Sequence, residues 1–165
     1  MFPPETERSV ALAVRTGDRA PEFDLEEAYD RPRLRLSDFR GRRNVLLVFH
    51  PFAFTPVCGE EALDLEANLK SFDDAETDVV FVSCDSSAAR QAWKRQLGAT
   101  YAFASDFWQH GATARAYGVF NEETGAARRG TFLIDKDGVV IWTLVKDEKR
   151  TEMVPESLEA LDGGA

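Results

Sequence analysis

The feature that most constrains this chain is the stretch from residue 45 to residue 61. Val45-Leu46-Leu47-Val48-Phe49 is an unbroken apolar run, the pattern of a strand buried on both faces within a largely parallel sheet. Pro51 stops that strand. Thr55 followed by Pro56 then reads as a helix start, with Thr55 as N-cap and Pro56 at the first helical position. Cys58 falls in the first turn, where backbone N–H groups have no partner inside the helix and the helix dipole is positive. A thiolate is stabilised at such a place, and the thiolate is the form that attacks an electrophile.

A free cysteine is most often a small buried apolar residue. The residues around this one argue for more. Pro51, Thr55 and Cys58 form the spacing Pro-x-x-x-Thr-x-x-Cys, which this composition would place around a given cysteine on the order of a few times in a thousand. Singly, Thr55 is a plain N-cap, Pro51 a strand stop and Arg129 a surface charge.

The rest of the chain alternates strands and helices. Pro21–Leu25 and Leu34–Leu36 read as short extended pieces, and Ser37-Asp38-Phe39 turns toward Gly41. After strand 45–49, a helix is expected from Pro56 to about Phe72, with Ala62, Leu65, Leu69 and Phe72 on one face. A second buried strand spans Val79–Cys84, and a helix capped by Ser86 or Ser87 runs to Leu97. Tyr101–Ala104 is a short strand, and a helix from about His110 to Tyr117 ends at Gly118. Thr131–Ile134 and Val139–Val145 flank the turn Asp135-Lys136-Asp137-Gly138, and a last helix covers about Pro155–Leu161. The class is α/β, in the element order of a thioredoxin-like fold. Residues 15–165 read as a single domain, preceded by a flexible arm at 1–14.

Charge and cysteine usage narrow the function. The net charge of −9, with no dense cluster of Lys and Arg, argues against nucleic acid. No apolar run approaches a membrane span, and the start lacks the basic and apolar regions of a secretory signal. Two cysteines 26 positions apart, with no Cys-x-x-Cys, fit a reducing cytoplasm and speak against a dithiol oxidoreductase. His50, His110, Cys58 and Cys84 lack the close ligand spacing of a zinc site, so neither metal nor cofactor is expected. His50 with Cys58 lacks the orienting third group of a Cys–His hydrolase.

Pro51, Thr55 and Cys58 resemble the peroxiredoxin signature. Arg129-Gly130-Thr131-Phe132-Leu133-Ile134-Asp135 resembles the segment that carries that family's active-site arginine. Ser105–Gly111 and Ala116–Glu122 resemble the alkyl hydroperoxide reductase E group of one-cysteine peroxiredoxins, and the likeness runs from about Thr16 to the C-terminal helix. It implies a thioredoxin-like fold with the peroxiredoxin N-terminal extension, and peroxide reduction at Cys58. The substrate is then hydrogen peroxide, an organic hydroperoxide or peroxynitrite. Thr55 and first-turn amides would act as hydrogen-bond donors, Arg129 would contact sulfur and peroxide, and Pro51 would shield the sulfur.

By the same resemblance, Glu61 orders the loop or an arginine. His50, standing where relatives usually carry an aromatic, lines the substrate pocket or a dimer interface with Phe54, Trp108 and Tyr117. The reductant is an external thiol: a low-molecular-weight one such as mycothiol, or a mycoredoxin or thioredoxin-like protein. Cys84 does not match the family's usual resolving position, which Leu63 occupies here; a resolving role for it is the minor alternative. The rival class is a peroxide sensor or a catalytically silent interaction module.

Overall fold

The apolar run becomes β3 (Asn44–Phe49), the middle strand of a five-stranded sheet, in a computed structural model that describes residues 13–163. Ahead of it, β1 (Asp24–Leu25) and β2 (Leu34–Arg35) form a small antiparallel ribbon, followed by a 3-10 turn over Leu36–Asp38. β3 pairs in parallel with β4 (Thr77–Ser83), which pairs in parallel with β5 (Ala102–Ser105). On its other side β3 meets β8 (Gly130–Ile134) antiparallel, and β8 turns through the expected hairpin into β9 (Val140–Val145). The order β5-β4-β3-β8-β9 is thioredoxin-like, as the element order predicts.

Alternation along the strands divides the interior into two cores. Val45, Leu47, Phe49, Val80, Val82, Cys84, Phe132 and Ile134 face one side. Leu46, Val48, Phe81 and Leu133 face the other, where they meet Cys58, Ala62, Leu65 and Phe72. Since successive side chains of a strand point to opposite faces, the two cysteines belong to different layers.

The helices are α1 (Pro56–Ala67), α2 (Leu69–Asp74), α3 (Ser87–Leu97), α4 (Ala112–Ala116) and α5 (Met153–Gly163). The single helix expected over 56–72 is therefore two. Asn68 interrupts it: its side-chain amide donates to the Asp64 carbonyl (2.8 Å) while its own N–H turns to Leu65 (3.1 Å). Asparagine competes for backbone partners in this way. Of the expected inner face, Ala62, Leu65 and Phe72 are nevertheless buried, and Leu69, at the start of α2, is half-buried.

α3 begins as expected, with the Ser86 hydroxyl accepting from the Ala89 N–H (3.2 Å). α4 is shorter than its sequence suggests because Asp106 sets its start, accepting from the Thr113 and Ala114 amides (3.1 and 2.9 Å). His110 is thus left in the preceding loop. β6 (Phe120–Asn121) and β7 (Ala126–Ala127) form a hairpin that the sequence pattern did not predict. Cys84 lies one residue past β4 rather than inside it.

The expected arm at 1–14 lies mostly outside the described residues. Its last two members do not behave as an arm: Ala13 and Val14 pack on the core, and the Val14 N–H donates to the Tyr117 carbonyl (3.2 Å). Among the described residues no helix is long and apolar enough to cross a membrane.

Candidate active site

The loop leaving β3 carries the chain from the carboxyl end of the central strand to α1, the place where open α/β sheets hold their ligands. Two devices shape it. The Ala53 N–H donates to Asp85 (2.8 Å), which also takes the Ser83 hydroxyl (2.5 Å), tying the loop to the segment after β4. Phe54 adopts φ 65°, a left-handed conformation costing a bulky residue about 1–3 kcal/mol.

The chain then enters α1 with Thr55 at the N-cap and Pro56 in the first turn. The Thr55 hydroxyl does not cap the helix; it donates to the Phe52 carbonyl (2.8 Å). The first intrahelical bond is Gly59 N–H to the Thr55 carbonyl (2.9 Å), so the Val57 and Cys58 amides precede it.

Cys58 is fully buried in that turn, and a guanidinium meets it from the sheet. Arg129 stands immediately before β8 and is paired through Nη1 with Cys58 Sγ (3.0 Å) and Glu61 Oε1 (3.1 Å). Its Nε donates to the Asp147 carbonyl (3.2 Å). The contacts to Cys58 and Glu61 span 71 and 68 positions in sequence, and the fold closes them by placing β8 beside β3.

Glu61, one turn on in α1, is fully buried. Arg150 grips its carboxylate by a fork, Nε to Oε2 (2.8 Å) and Nη2 to Oε1 (2.9 Å), and adds its backbone N–H to Oε2 (2.9 Å). Burial alone would raise the acid's pKa. The hydrogen bonds and charge of Arg150, with the charge of Arg129, outweigh it and hold Glu61 below the ordinary glutamate value. A carboxylate three residues from a reactive sulfur could repel its negative charge, but this one is turned toward two arginines. Arg150 also donates from Nη1 to the Gly130 carbonyl (3.1 Å) and the Thr131 hydroxyl (3.0 Å).

Sequence reasoning missed Arg150 and Asp85. Neither lies in a local pattern: Arg150 is 89 positions from Glu61 and Asp85 is 32 from Ala53. The useful signal is indirect: the resemblance has Glu61 order the loop or an arginine, and a glutamate that proves fully buried requires a cation.

The remaining candidates separate. Pro51 is half-buried and, with Phe52, Cys84, Asp85, Phe107 and His110, lines a cleft of about 470 Å³ on the Cys84 side of the loop. Phe54 and Trp108 are exposed, at 53% and 80%. Tyr117 is not at the surface. It is fully buried in the core on the Cys84 face, packs on Phe49 and Phe132, and donates its hydroxyl to the Pro21 carbonyl (2.7 Å).

His50 is likewise not a wall of an open pocket or an interface. It is fully buried, stacked on Phe81 at 4.0 Å, with Nε2 2.5 Å from Nη1 of Arg90. Burial first, then the charges of Arg90, Arg150 and Arg129, hold its pKa well below 6.5, so the ring is neutral. Cys84 is buried in the core opposite Cys58. Burial, with the carboxylates of Asp106 and Asp85, pushes its thiol up to about 12.

A buried sulfur at a helix N-terminus, met by an arginine whose own carboxylate partner is locked elsewhere, is built to hold an anion and to steady a second as charge leaves. The sequence matches the AhpC/TSA family over residues 16–143. It is 38% identical over 133 residues to alkyl hydroperoxide reductase E of Mycobacterium tuberculosis, an alignment covering 81% of this chain and 86% of that one. Among solved structures it resembles peroxidoxin BcpB of Mycobacterium tuberculosis, with TM-score 0.82, 26% identity and coverage of 90% and 96%. Thioredoxin peroxidase I of Plasmodium yoelii follows the same course, with TM-score 0.78, 33% identity and 90% of both chains covered. The chain therefore belongs to the AhpC/TSA family of peroxiredoxins, resembling alkyl hydroperoxide reductase E within it, and is a thiol-dependent peroxidase.

Proposed function

We propose that Cys58 is the peroxidatic nucleophile and that the enzyme works with one cysteine. The observation that carries this is the 3.0 Å contact from Arg129 Nη1 to Cys58 Sγ, made by a guanidinium that also touches Glu61. The Cys58 thiolate attacks the terminal oxygen of a hydroperoxide in line with the O–O bond. An S–O bond forms, the O–O bond breaks, and the departing alkoxide or hydroxide takes a proton to leave as alcohol or water. Cys58 remains as a sulfenic acid. Arg129 and the first-turn amides favour negative charge first on sulfur and then on the leaving oxygen. The Thr55 hydroxyl, its proton directed to Phe52, offers lone pairs to the peroxide O–H.

An external thiol then attacks the sulfenic acid, expels water and leaves a mixed disulfide. A second thiol releases Cys58 and carries away the disulfide. Cys84 is badly placed to replace that first thiol, because it lies across the sheet and its thiol is held protonated by burial. The reductant we propose is a low-molecular-weight thiol such as mycothiol, or a mycoredoxin or thioredoxin-like protein, in the cytoplasm. Phe52 and Phe54 in the active-site loop, and Phe107 and Trp108 after β5, are exposed, and Phe107 shares a cleft with Phe52; we assign this aromatic surface to a homodimer contact.

Stopped-flow mixing of reduced protein with hydrogen peroxide and with organic hydroperoxides tests the reading. Oxidation should be fast in the wild type and absent in Cys58→Ser. An unchanged rate in that variant would remove Cys58 from the mechanism. Turnover with added thiol separates an enzyme from a peroxide sensor.

A further inference from the structure

Cys58, Glu61, Arg129 and Arg150 explain one another, but another buried charge is left over. Arg90, on the inner side of α3, is fully buried. It donates from Nη2 to the Phe81 carbonyl (2.7 Å), from Nε to the Ala104 carbonyl (3.0 Å) and from Nη1 to His50 Nε2 (2.5 Å). Phe103, Phe81 and Trp93 enclose the guanidinium, their ring centres 5.0, 5.4 and 5.8 Å from its carbon. No carboxylate among the described residues forms an ion pair with it within 4.0 Å. Burial pulls its pKa down to about 10, which still leaves it charged at neutral pH.

An apolar side chain would fill that place at lower cost, because a buried cation without a carboxylate is expensive. The arrangement around it preserves the charge instead. His50 is held neutral, so its Nε2 is free to accept from Arg90, which puts the ring proton on Nδ1. That Nδ1 is a buried side-chain atom with no hydrogen-bond partner, the one such atom among the described residues. A ring with no acceptor nitrogen would strand the Arg90 Nη1 as well.

The same layer contains the nucleophile. Cys58, Phe81, Trp93 and Phe103 share one core, and the Trp93 ring lies against the backbone of Gly59, where a Cβ would sit 3.8 Å from it. Three arginines, Arg90, Arg129 and Arg150, act electrostatically on His50, and Glu61 is the carboxylate shared by Arg129 and Arg150. The groups that bear on Arg90 are His50, Asp85, Tyr101, Cys58 and Cys84. Burial keeps the His50 ring neutral, the Tyr101 phenol well above 10 and the Cys84 thiol at about 12. Of the two thiols among them, Cys58 is the one whose sulfur meets a guanidinium directly, through Arg129 Nη1 at 3.0 Å.

We propose that Arg90 is a positioning residue of the peroxidatic site: a further cation, buried and held by His50, that acts on Cys58 through its charge rather than by contact. The proposal rests on the reading of Cys58 as nucleophile. It gives His50 a function, as the neutral acceptor that lets a guanidinium occupy this layer.

The test is the pH–rate profile for hydrogen peroxide oxidation from pH 5 to 9, measured with Arg90→Met, Arg90→Gln and His50→Phe in full-length protein carrying Cys84→Ser, alongside thermal unfolding. Removing the charge should displace the profile toward higher pH. A displacement of one unit gives about a tenfold loss of rate on the acid limb, with convergence on the parent at high pH. Arg90→Gln keeps a polar side chain in case Arg90→Met does not fold. His50→Phe should lower the thermal midpoint, and adding Arg90→Met to it should restore the loss, because the stranded cation is gone. A parental profile in either folded Arg90 variant would overturn the proposal, as would a rate loss equal at every pH and matched by instability. Oxidation that survives in Cys58→Ser would instead overturn the underlying reading of the nucleophile.

Discussion

Cys58 and Cys84 are both buried, 0% and 5% exposed, yet their surroundings are opposite in sign. Cys58 sits at a helix N-terminus with a guanidinium on its sulfur. Cys84 sits past the end of β4, across the sheet, where Asp106 and Asp85 add to burial and push its thiol up to about 12. Burial therefore does not distinguish a reactive cysteine from an inert one. The charges that the fold brings around each sulfur do, and a single sheet holds the two sulfurs in separate cores.

The sharpest way to break this contrast is to remove each sulfur in turn. Cys58→Ser should slow peroxide oxidation at least about a thousandfold, and Cys84→Ser should leave the rate unchanged. The product of one equivalent of peroxide without added thiol completes the test. Intact-mass measurement should find one added oxygen on Cys58 that a sulfenic-acid trap captures. A loss of two hydrogens, with Cys58 linked to Cys84 on peptide mapping, would mean that the sheet does not keep the two apart. Bridging needs Cα atoms within about 7 Å and converging side chains.

The Cys58 face should also prove the more expensive to disturb. Glu61→Gln leaves Arg150 buried with a weakened partner, and breaking a buried pair of this kind costs about 3–5 kcal/mol, to be read from chemical denaturation. The pH dependence carries a sign. Glu61 is held below the ordinary value of 4.5 in the folded protein, so its contribution is complete above that value and is lost as pH falls through the lowered one. Wild-type stability should therefore fall away in acid more steeply than that of Glu61→Gln. Parallel curves would mean that Arg150 does not favour the charged acid. Arg129→Lys is expected to be milder, slowing oxidation about ten- to a hundredfold at unchanged stability, because an ammonium cannot hold one nitrogen on sulfur and Glu61 while a second is anchored to the Asp147 carbonyl.

What the sequence revealed follows the same division between local and distant causes. The apolar run at 45–49, the Thr55-Pro56 helix start, the turn at 135–138 and the Cys58 position were legible because each is decided by neighbours a few residues apart. The Asn68 break was not, since a helical apolar face continues through it to Phe72 and only the side-chain bond to Asp64 shows the interruption. Arg150 and Arg90 were invisible as buried cations, because nothing near them in sequence distinguishes a buried arginine from a solvated one; their partners lie 89 and 40 positions away. The burial of Tyr117 in the core is hidden for a related reason. Its helix was recognised, but the face it buries depends on β3 and β8.

Tyr117 supplies the smallest and cleanest test of the two-layer arrangement. Its hydroxyl donates to the Pro21 carbonyl (2.7 Å), and its ring packs between Phe49 and Phe132 in the core that also holds Cys84. Tyr117→Phe keeps the ring and removes one hydrogen bond, so it should cost about 1 kcal/mol of stability. If Tyr117 touched peroxide, the same change would alter the oxidation rate or the preference among hydroperoxides. Because the sheet stands between this ring and the Cys58 layer, the rate with hydrogen peroxide and with a bulky organic hydroperoxide should match the wild type. A change in their ratio without loss of stability would place Tyr117 at the substrate and show that the layers communicate. A small stability loss with both rates intact would confine its role to anchoring the segment around Pro21.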